Sequence, residues 1–120
     1  MDIVVSVIIP SYNGEQTIAR AISSVLKQDG DFSIEILVCD DCSTDKTIEI
    51  AKQMKAIVLS NKKHIGGPNV GRNLGIRNAK GRYIAFLDQD DEWLPEKLET
   101  QLKQIKDYDV ISSDKIIRNE

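Results

Sequence analysis

No run of apolar residues in this chain approaches the roughly 20 needed to cross a bilayer, which excludes a membrane span within it. Positive charge is thin as well: no basic run is longer than Lys62-Lys63, the formal net charge is -3 and the pI is near 5.2. A face that binds phosphate backbones needs the opposite balance, so nucleic acid is excluded as a partner. Two cysteines among 120 residues make no disulfide framework. The start, Met1-Asp2-Ile3-Val4-Val5, has no basic n-region and no small-residue cleavage site. It reads as a first strand rather than a signal peptide, and these shortages together point to a cytosolic protein. What is present is ordinary for a globular protein: 41% apolar and 29% charged residues, in a length that suits one domain, residues 1–120.

Two kinds of segment alternate. Ile3 to Ile9, Ile34 to Cys39, Ala56 to Leu59 and Tyr83 to Leu87 are short, β-branched and nearly all apolar, the pattern of strands buried on both faces. Between them lie amphipathic stretches. Ile18, Ala21, Ile22, Val25 and Leu26 form one stripe, with Arg20, Ser24 and Lys27 opposite; Ile48, Ala51 and Met54 mark a second helix. Leu74, Ile76 and Ala79 mark a third, which Gly81 stops. A fourth starts at Pro95 with Leu98, Leu102 and Ile105 as its stripe, and Tyr108 to Ser112 reads as a fifth strand. The order β-α-β-α-β-α-β-α-β predicts an α/β fold, a mostly parallel sheet with helices on both faces. Lys115 to Glu120 read as a tail after the last strand.

In such a sheet, ligands bind beyond the carboxyl ends of the strands. The unusual residues fall there: Pro10-Ser11-Tyr12-Asn13-Gly14 after the first strand, Asp40-Asp41-Cys42-Ser43-Thr44-Asp45 after the second, the Gly66-Gly67-Pro68 loop after the third, and Asp88-Gln89-Asp90-Asp91-Glu92 after the fourth. The last cluster holds four carboxylates in five residues, which repel one another unless a cation intervenes. Mg²⁺ and Mn²⁺ favour such oxygens and bridge them to substrate phosphates. In an extended segment Asp88 and Asp90 point the same way. Asp90, Asp91 and Glu92 could alternatively complement the positive end of the fourth helix. Asp88 lies too far back for that, which favours the metal.

Asp45 is the natural cap for the second helix. An aspartate of the Asp40-Asp41 pair could accept hydrogen bonds from a base or a ribose. Tyr12 could stack on a base or pack on its own loop. Arg72 and Asn73 open the third helix, where backbone N–H groups and a guanidinium attract phosphate; a solvated surface arginine is the plainer reading. His64, the only histidine, reads as solvated, without chemistry. Cys39-Asp40-Asp41-Cys42 spells C-x-x-C, but the aspartates between the thiols oppose a thiolate, and a zinc site would need two further soft ligands. Cys39 is expected in the core.

Taken in order, Val5-Ser6-Val7-Ile8-Ile9-Pro10-Ser11-Tyr12-Asn13, Val38-Cys39-Asp40-Asp41-Cys42-Ser43-Thr44-Asp45, Gly66-Gly67-Pro68 with Gly71-Arg72-Asn73-Leu74-Gly75-Ile76, and Ala79 to Asp91 resemble the family 2 glycosyltransferases over residues 3 to about 112. The resemblance implies the Rossmann-like N-terminal half of a GT-A fold with a nucleotide-sugar donor site. It implies that Pro10 and Tyr12 line the base pocket, that Ser11 and Asn13 belong to the same nucleotide-sugar site, that Asp41 bonds the base, and that Arg72 lies near ribose or phosphates. Asp88-Gln89-Asp90 would be the D-x-D holding ribose and a divalent Mn²⁺ or Mg²⁺, with Asp88 and Asp90 as ligands and Asp91 as a third candidate. Two departures are mild: Cys42 stands where the family often has a small or polar residue, and Val70-Gly71 precedes Arg72 where alanine is usual.

The implied reaction is inverting transfer from a nucleotide-diphosphate sugar, UDP-linked by expectation, to the hydroxyl of a glycan or lipid-linked acceptor, in the cytoplasm or at the inner face of the membrane. No residue after Trp93 stands out as the acceptor base. That predicts a donor-binding part of a catalytic domain, inactive alone and prone to pair into a homodimer through a bare edge. The alternatives are a non-catalytic nucleotide-sugar-binding fragment and a receiver-like signalling module. The latter needs an acidic pair after the first strand, where this chain has Pro10-Ser11-Tyr12-Asn13.

Overall fold

The computed structural model describes residues 3–67, 69–105, 110–111 and 116–118. Its elements run β1 (Val5–Ser11), α1 (Ile18–Leu26), β2 (Ile34–Asp40), α2 (Thr47–Gln53), β3 (Ile57–Ser60), α3 (Val70–Asn78), β4 (Tyr83–Phe86), α4 (Lys97–Gln104), β5 (Val110–Ile111) and β6 (Ile116–Arg118). The sheet order is β3-β2-β1-β4-β6-β5. The first four strands are mutually parallel, with Val5 opposite both Ile34 and Tyr83.

Two expectations need correction. The fifth strand runs in the same direction as β4 but not beside it: Val110–Ile111 pairs antiparallel with β6, which lies between the two. Nor is Ile116–Arg118 part of a tail, because it pairs antiparallel with β4, while Lys115, Asn119 and Glu120 lie outside the described residues. A return strand needs only a short connection, so it can fill the place beside β4 without another crossover helix. That pairing also covers the edge of β4, and β5 is the outermost described strand on this side.

β1 is central, and its alternation divides the core. Val5, Val7 and Ile9 pack with Ile18, Ala21, Ile22 and Val25 of α1, Ala51 of α2 and Leu98 of α4. Ile8 faces the other way, toward Leu37, Cys39, Ile84 and the partly buried Leu74 of α3. Helices therefore cover both faces, as the apolar strands require. Each fully buried Ile or Val contributes about 1.5–3 kcal/mol.

The sheet's N-terminal edge holds a small buried polar knot. Ser6 Oγ donates to Glu35 Oε2 at 2.5 Å and accepts from the Gly81 N–H at 2.8 Å, while the Lys80 N–H donates to the same carboxylate oxygen at 2.7 Å. These bonds satisfy groups that burial would otherwise penalise and fix the turn feeding β4. This edge carries structure; the opposite edge carries the site.

Candidate functional site

β1 runs further than its apolar pattern suggested and takes in Pro10 and Ser11. A proline inside a central strand normally costs a ladder bond. Ser11 turns its carbonyl to β2, where the Asp41 N–H donates to it, and Ile8 turns its carbonyl to the Leu87 N–H beside β4. Pro10 shares the Ile8 side, and the β4 pairing has already stopped at Phe86 opposite Ile8. The absent N–H therefore costs nothing, and a crevice opens where β1 outruns β4.

The two adjacent aspartates after β2 separate into different roles. Asp40 is buried and accepts from Ser11 Oγ at 2.6 Å, the Ser43 N–H at 2.7 Å and Ser43 Oγ at 2.6 Å. It tethers the ends of β1 and β2. Asp41 faces the loop after β3: Asn61 Nδ2 and the Ile65 N–H reach Oδ1, both at 3.0 Å, and the Gly66 N–H reaches Oδ2 at 2.8 Å. His64 Nδ1 lies 2.9 Å from Oδ2. Burial works to raise the Asp41 pKa, but the bonds from Asn61, Gly66 and Ile65 and the charge of His64 outweigh it, and the net shift is downward. Gly66 and Gly67 have φ of 82° and 98°, conformations that favour glycine, so the loop can bend its N–H groups onto one carboxylate.

His64 is thus not merely solvated, which corrects its sequence reading. Its ring also lies 4.4 Å from that of Tyr12, centroid to centroid, tilted by 32°. Tyr12 remains 42% exposed. Nothing in composition flagged His64, because only the third dimension brings it to Asp41. Asp45 works as expected, accepting from the Thr47 N–H at 2.9 Å, one residue before the position flanking α2. Cys39 is buried, and burial pushes its thiol up to about 12. Cys42 is half-buried and donates from Sγ to the Asn61 carbonyl at 3.0 Å.

α3 starts at Val70 and presses its first turn against β1. A Cβ on Gly71 would lie 2.7 Å from Pro10 Cβ and 3.1 Å from the Cys39 carbonyl oxygen, so only glycine allows this approach. Arg72 follows at once. Its guanidinium lies 5.3 Å above the Phe86 ring, and Nη2 is 3.9 Å from Asp88 Oδ1. Its Nε is buried and makes no hydrogen bond among the described residues.

The acid cluster is a turn, not the extended segment expected, since the Asp91 N–H closes onto the Asp88 carbonyl at 3.1 Å. Arg20 of α1 donates from Nη2 to the Asp90 carbonyl at 2.8 Å and braces it; the sequence had placed Arg20 only on a polar stripe. Gln89 uses both ends of its amide on Tyr12, accepting from the N–H at 3.0 Å and donating to the carbonyl at 3.1 Å. Asp91 accepts from the Glu92 N–H at 2.8 Å.

These parts enclose a cleft of about 620 Å³, lined by Pro10, Ser11, Tyr12, Asp41, Arg72, Asp88, Gln89 and Asp90 together with His64 and Gly66-Gly67. Residues from four separate strand ends meet there, and the volume suits a ligand of nucleotide-sugar size. Asn13 and Asp91, also expected in the site, do not line it. Asn13, at φ 47°, instead bridges to the second loop: its N–H donates to Ser43 Oγ at 2.8 Å and its Oδ1 accepts from the Thr44 N–H at 2.8 Å. No three ligating side chains converge on a point among the described residues.

The profile of the family described as Glycosyl transferase family 2 matches residues 6–119. The chain belongs to that family. It is 40% identical to the Escherichia coli UDP-Glc:alpha-D-GlcNAc-diphosphoundecaprenol beta-1,3-glucosyltransferase WfgD, over 97% of this chain and 50% of that protein. The chain therefore spans about half the length of that relative. Among solved structures, Staphylococcus aureus TarS 1–349 in complex with UDP superposes with a TM-score of 0.83 at 33% identity, covering 90% of this chain and 33% of that one. The mannosyltransferase PcManGT from Pyrobaculum calidifontis, in complex with GDP-Man and Mn²⁺, shares the fold with a TM-score of 0.78 at 24% identity, over 92% of this chain and 34% of that one. The expected GT-A architecture thus stands, and the receiver-like reading gains no support. No helix among the described residues is long and apolar enough to cross a membrane.

Proposed function

We propose that this family 2 chain is the donor-binding part of an inverting glycosyltransferase that takes its sugar from a UDP-sugar for glycan synthesis. The observation that carries the reading is the single cleft uniting Pro10, Tyr12, Asp41, Arg72, Asp88 and Asp90 at the carboxyl edge of the parallel strands. A UDP donor is supported by the 33%-identical TarS, solved with UDP and with UDP-GlcNAc. A lipid-linked or glycan acceptor on the cytoplasmic side, at the inner face of the membrane, accords with the diphosphoundecaprenol substrate in the name of the Escherichia coli relative.

In this reading the base lies against Tyr12 and Pro10, near the Asp41 and His64 corner. The diphosphate extends toward the α3 N-terminus, where Arg72 offers a guanidinium whose Nε has no partner among the described residues. Asp88 and Asp90 fit a divalent cation. Their side chains are hard oxygen donors, both line the cleft, and Asp88 is two-thirds exposed, its side chain held among the described residues by the long 3.9 Å contact to Arg72 alone. Two carboxylates completed by substrate phosphates are how Mg²⁺ is commonly held, so no closed protein cage is needed. Once bound, Mn²⁺ or Mg²⁺ would neutralise the charge that develops on the departing diphosphate. The chain's own part is to fix the base, aim the diphosphate at Arg72 and present the two acids. The base that takes the acceptor proton is assigned to none of the described carboxylates.

Calorimetry tests the reading. UDP should bind more tightly in Mn²⁺ than in EDTA, and equal affinity in the two would remove the metal role. Absence of UDP binding in both would remove the donor site.

A further inference from the structure

The middle residue of Asp88-Gln89-Asp90 has a task of its own. Its side-chain amide pairs with both backbone groups of Tyr12, accepting at 3.0 Å and donating at 3.1 Å, as a neighbouring strand would. Tyr12 sits on the loop that follows β1; Gln89 sits in the turn that follows β4. The β1–β4 ladder stops at Ile8 opposite Phe86, so beyond it the two loops are joined by this amide instead of by strand pairing. The fit is tight. A Cβ on Gly14 would lie 2.3 Å from Gln89 Oε1 and 2.6 Å from Cδ, and the absence of a side chain there leaves room for the amide.

One N–H and one acceptor site of the Gln89 amide are thus committed to Tyr12. We infer that Gln89 is a positioning residue that couples the nucleobase loop to the acid pair, so that seating a base at Tyr12 pre-orders Asp88 and Asp90 for the cation. This rests on the donor-site reading above and adds an energetic link within it. Two sites that bias one mechanical element must affect each other's affinity by the same factor. Base binding should therefore tighten Mn²⁺, and Mn²⁺ should tighten base binding equally. Removing the amide should uncouple the two while leaving Tyr12, Asp88 and Asp90 in place.

The experiment uses the chain as it stands, with free Mn²⁺ read by electron paramagnetic resonance. The partner ligand is 2′,3′,5′-trideoxyuridine, which has neither phosphate nor sugar hydroxyl to touch the ion. In the wild type, saturating nucleoside should lower the Mn²⁺ Kd by about 5-fold or more, the lower end of ordinary coupling. In Gln89→Ala the ratio should fall toward 1. Gly14→Ala, which keeps the glutamine but denies it room, should behave the same way. Adding Gln89→Ala to Gly14→Ala should change the ratio no further, the non-additivity expected of residues acting through one contact. Gln89→Glu keeps the acceptor but not the donor and should fall between. Far-ultraviolet circular dichroism and the thermal midpoint confirm that each variant is folded. A folded Gln89→Ala that keeps the wild-type ratio overturns the inference alone. A wild type that binds neither Mn²⁺ nor nucleoside overturns the donor-site reading and this inference with it.

Discussion

The approach of α3 to the end of β1 can be broken by a single methyl group. Gly71 and Gly75 are both buried on the face of α3 that meets β1. In an exposed helix, Gly→Ala stabilises by about 1 kcal/mol; forcing extra volume into a packed interface costs about 1–3 kcal/mol. At Gly75 the new Cβ would lie 2.6 Å from Cγ2 of Ile8, a fully buried and stiff side chain. At Gly71 it would lie 2.7 Å from Pro10 Cβ and 3.0 Å from Pro10 Cα. Neither Pro10 atom can turn away, because the ring fixes its own backbone. Relief to an ordinary 3.4 Å contact requires the helix N-terminus to move outward by several tenths of an ångström, and Arg72 moves with it.

The two substitutions should therefore differ in kind. Each should cost about 0–2 kcal/mol of stability, overpacking less helix propensity, which urea unfolding measures. Gly71→Ala should in addition weaken UDP about 10-fold, or roughly 1.4 kcal/mol, because the guanidinium and the cleft wall shift. Gly75→Ala, one turn further from the cleft, should leave UDP affinity within about 2-fold, a few tenths of a kcal/mol. If Gly71→Ala raises the unfolding midpoint and binds UDP as the wild type does, the close approach of α3 to Pro10 does not govern the site.

Three further outcomes follow from the same geometry. Arg72→Ala should weaken UDP far more than uridine, since the loss is at the phosphates; equal losses in calorimetry would contradict that role. The Asp41 and Asp45 pKa values lie below their ordinary range in the folded chain. Their stabilisation is therefore complete above the unfolded value of about 3.9 and is lost as pH falls through the folded values. Asp41→Ala should flatten the acid limb of a stability–pH curve below pH 4, and an unchanged slope there would refute the loop tether. Cys39, with its thiol raised to about 12 and its side chain buried, should resist iodoacetamide at pH 8 in the folded chain while half-buried Cys42 reacts first; mass spectrometry of the alkylated peptides would reveal the reverse order.

Much of this arrangement was legible in the residue order, for a definite reason. Parallel strands buried on both faces leave unbroken apolar runs, so Val5 to Ile9 and Ile34 to Cys39 announced themselves, and the polar residues had to gather at the strand ends. The short final strands carried no such signal. Val110–Ile111 and Ile116–Arg118 are too brief for any periodicity, and the antiparallel direction of Ile116–Arg118 depends on what lies beside β4. The turn at Asp88 to Asp91 was missed because an acidic run is compatible with many backbones; the Asp91-to-Asp88 hydrogen bond decides it.

Asp40 and Asp41 mark the limit of inference from residue type. Both are acids at the end of the same strand and both are buried, yet one ties β1 to β2 and the other ties the loop after β3. Alternation explains the split, because successive side chains leave a strand on opposite sides. Their partners decide the rest. Asp40 finds the hydroxyls of Ser11 and Ser43; Asp41 finds the N–H groups of Ile65 and Gly66, the amide of Asn61 and the ring of His64. A carboxylate has about four lone-pair sites, and these four donors occupy those of Asp41. In the structure described, a base N–H could reach that carboxylate only by displacing one of them. The weakest held is His64, half exposed and attached through one ring nitrogen. An incoming base that stacks on Tyr12 would compete with His64 for the aromatic face and for Asp41 together, so the histidine ring is the part of this corner that has to yield.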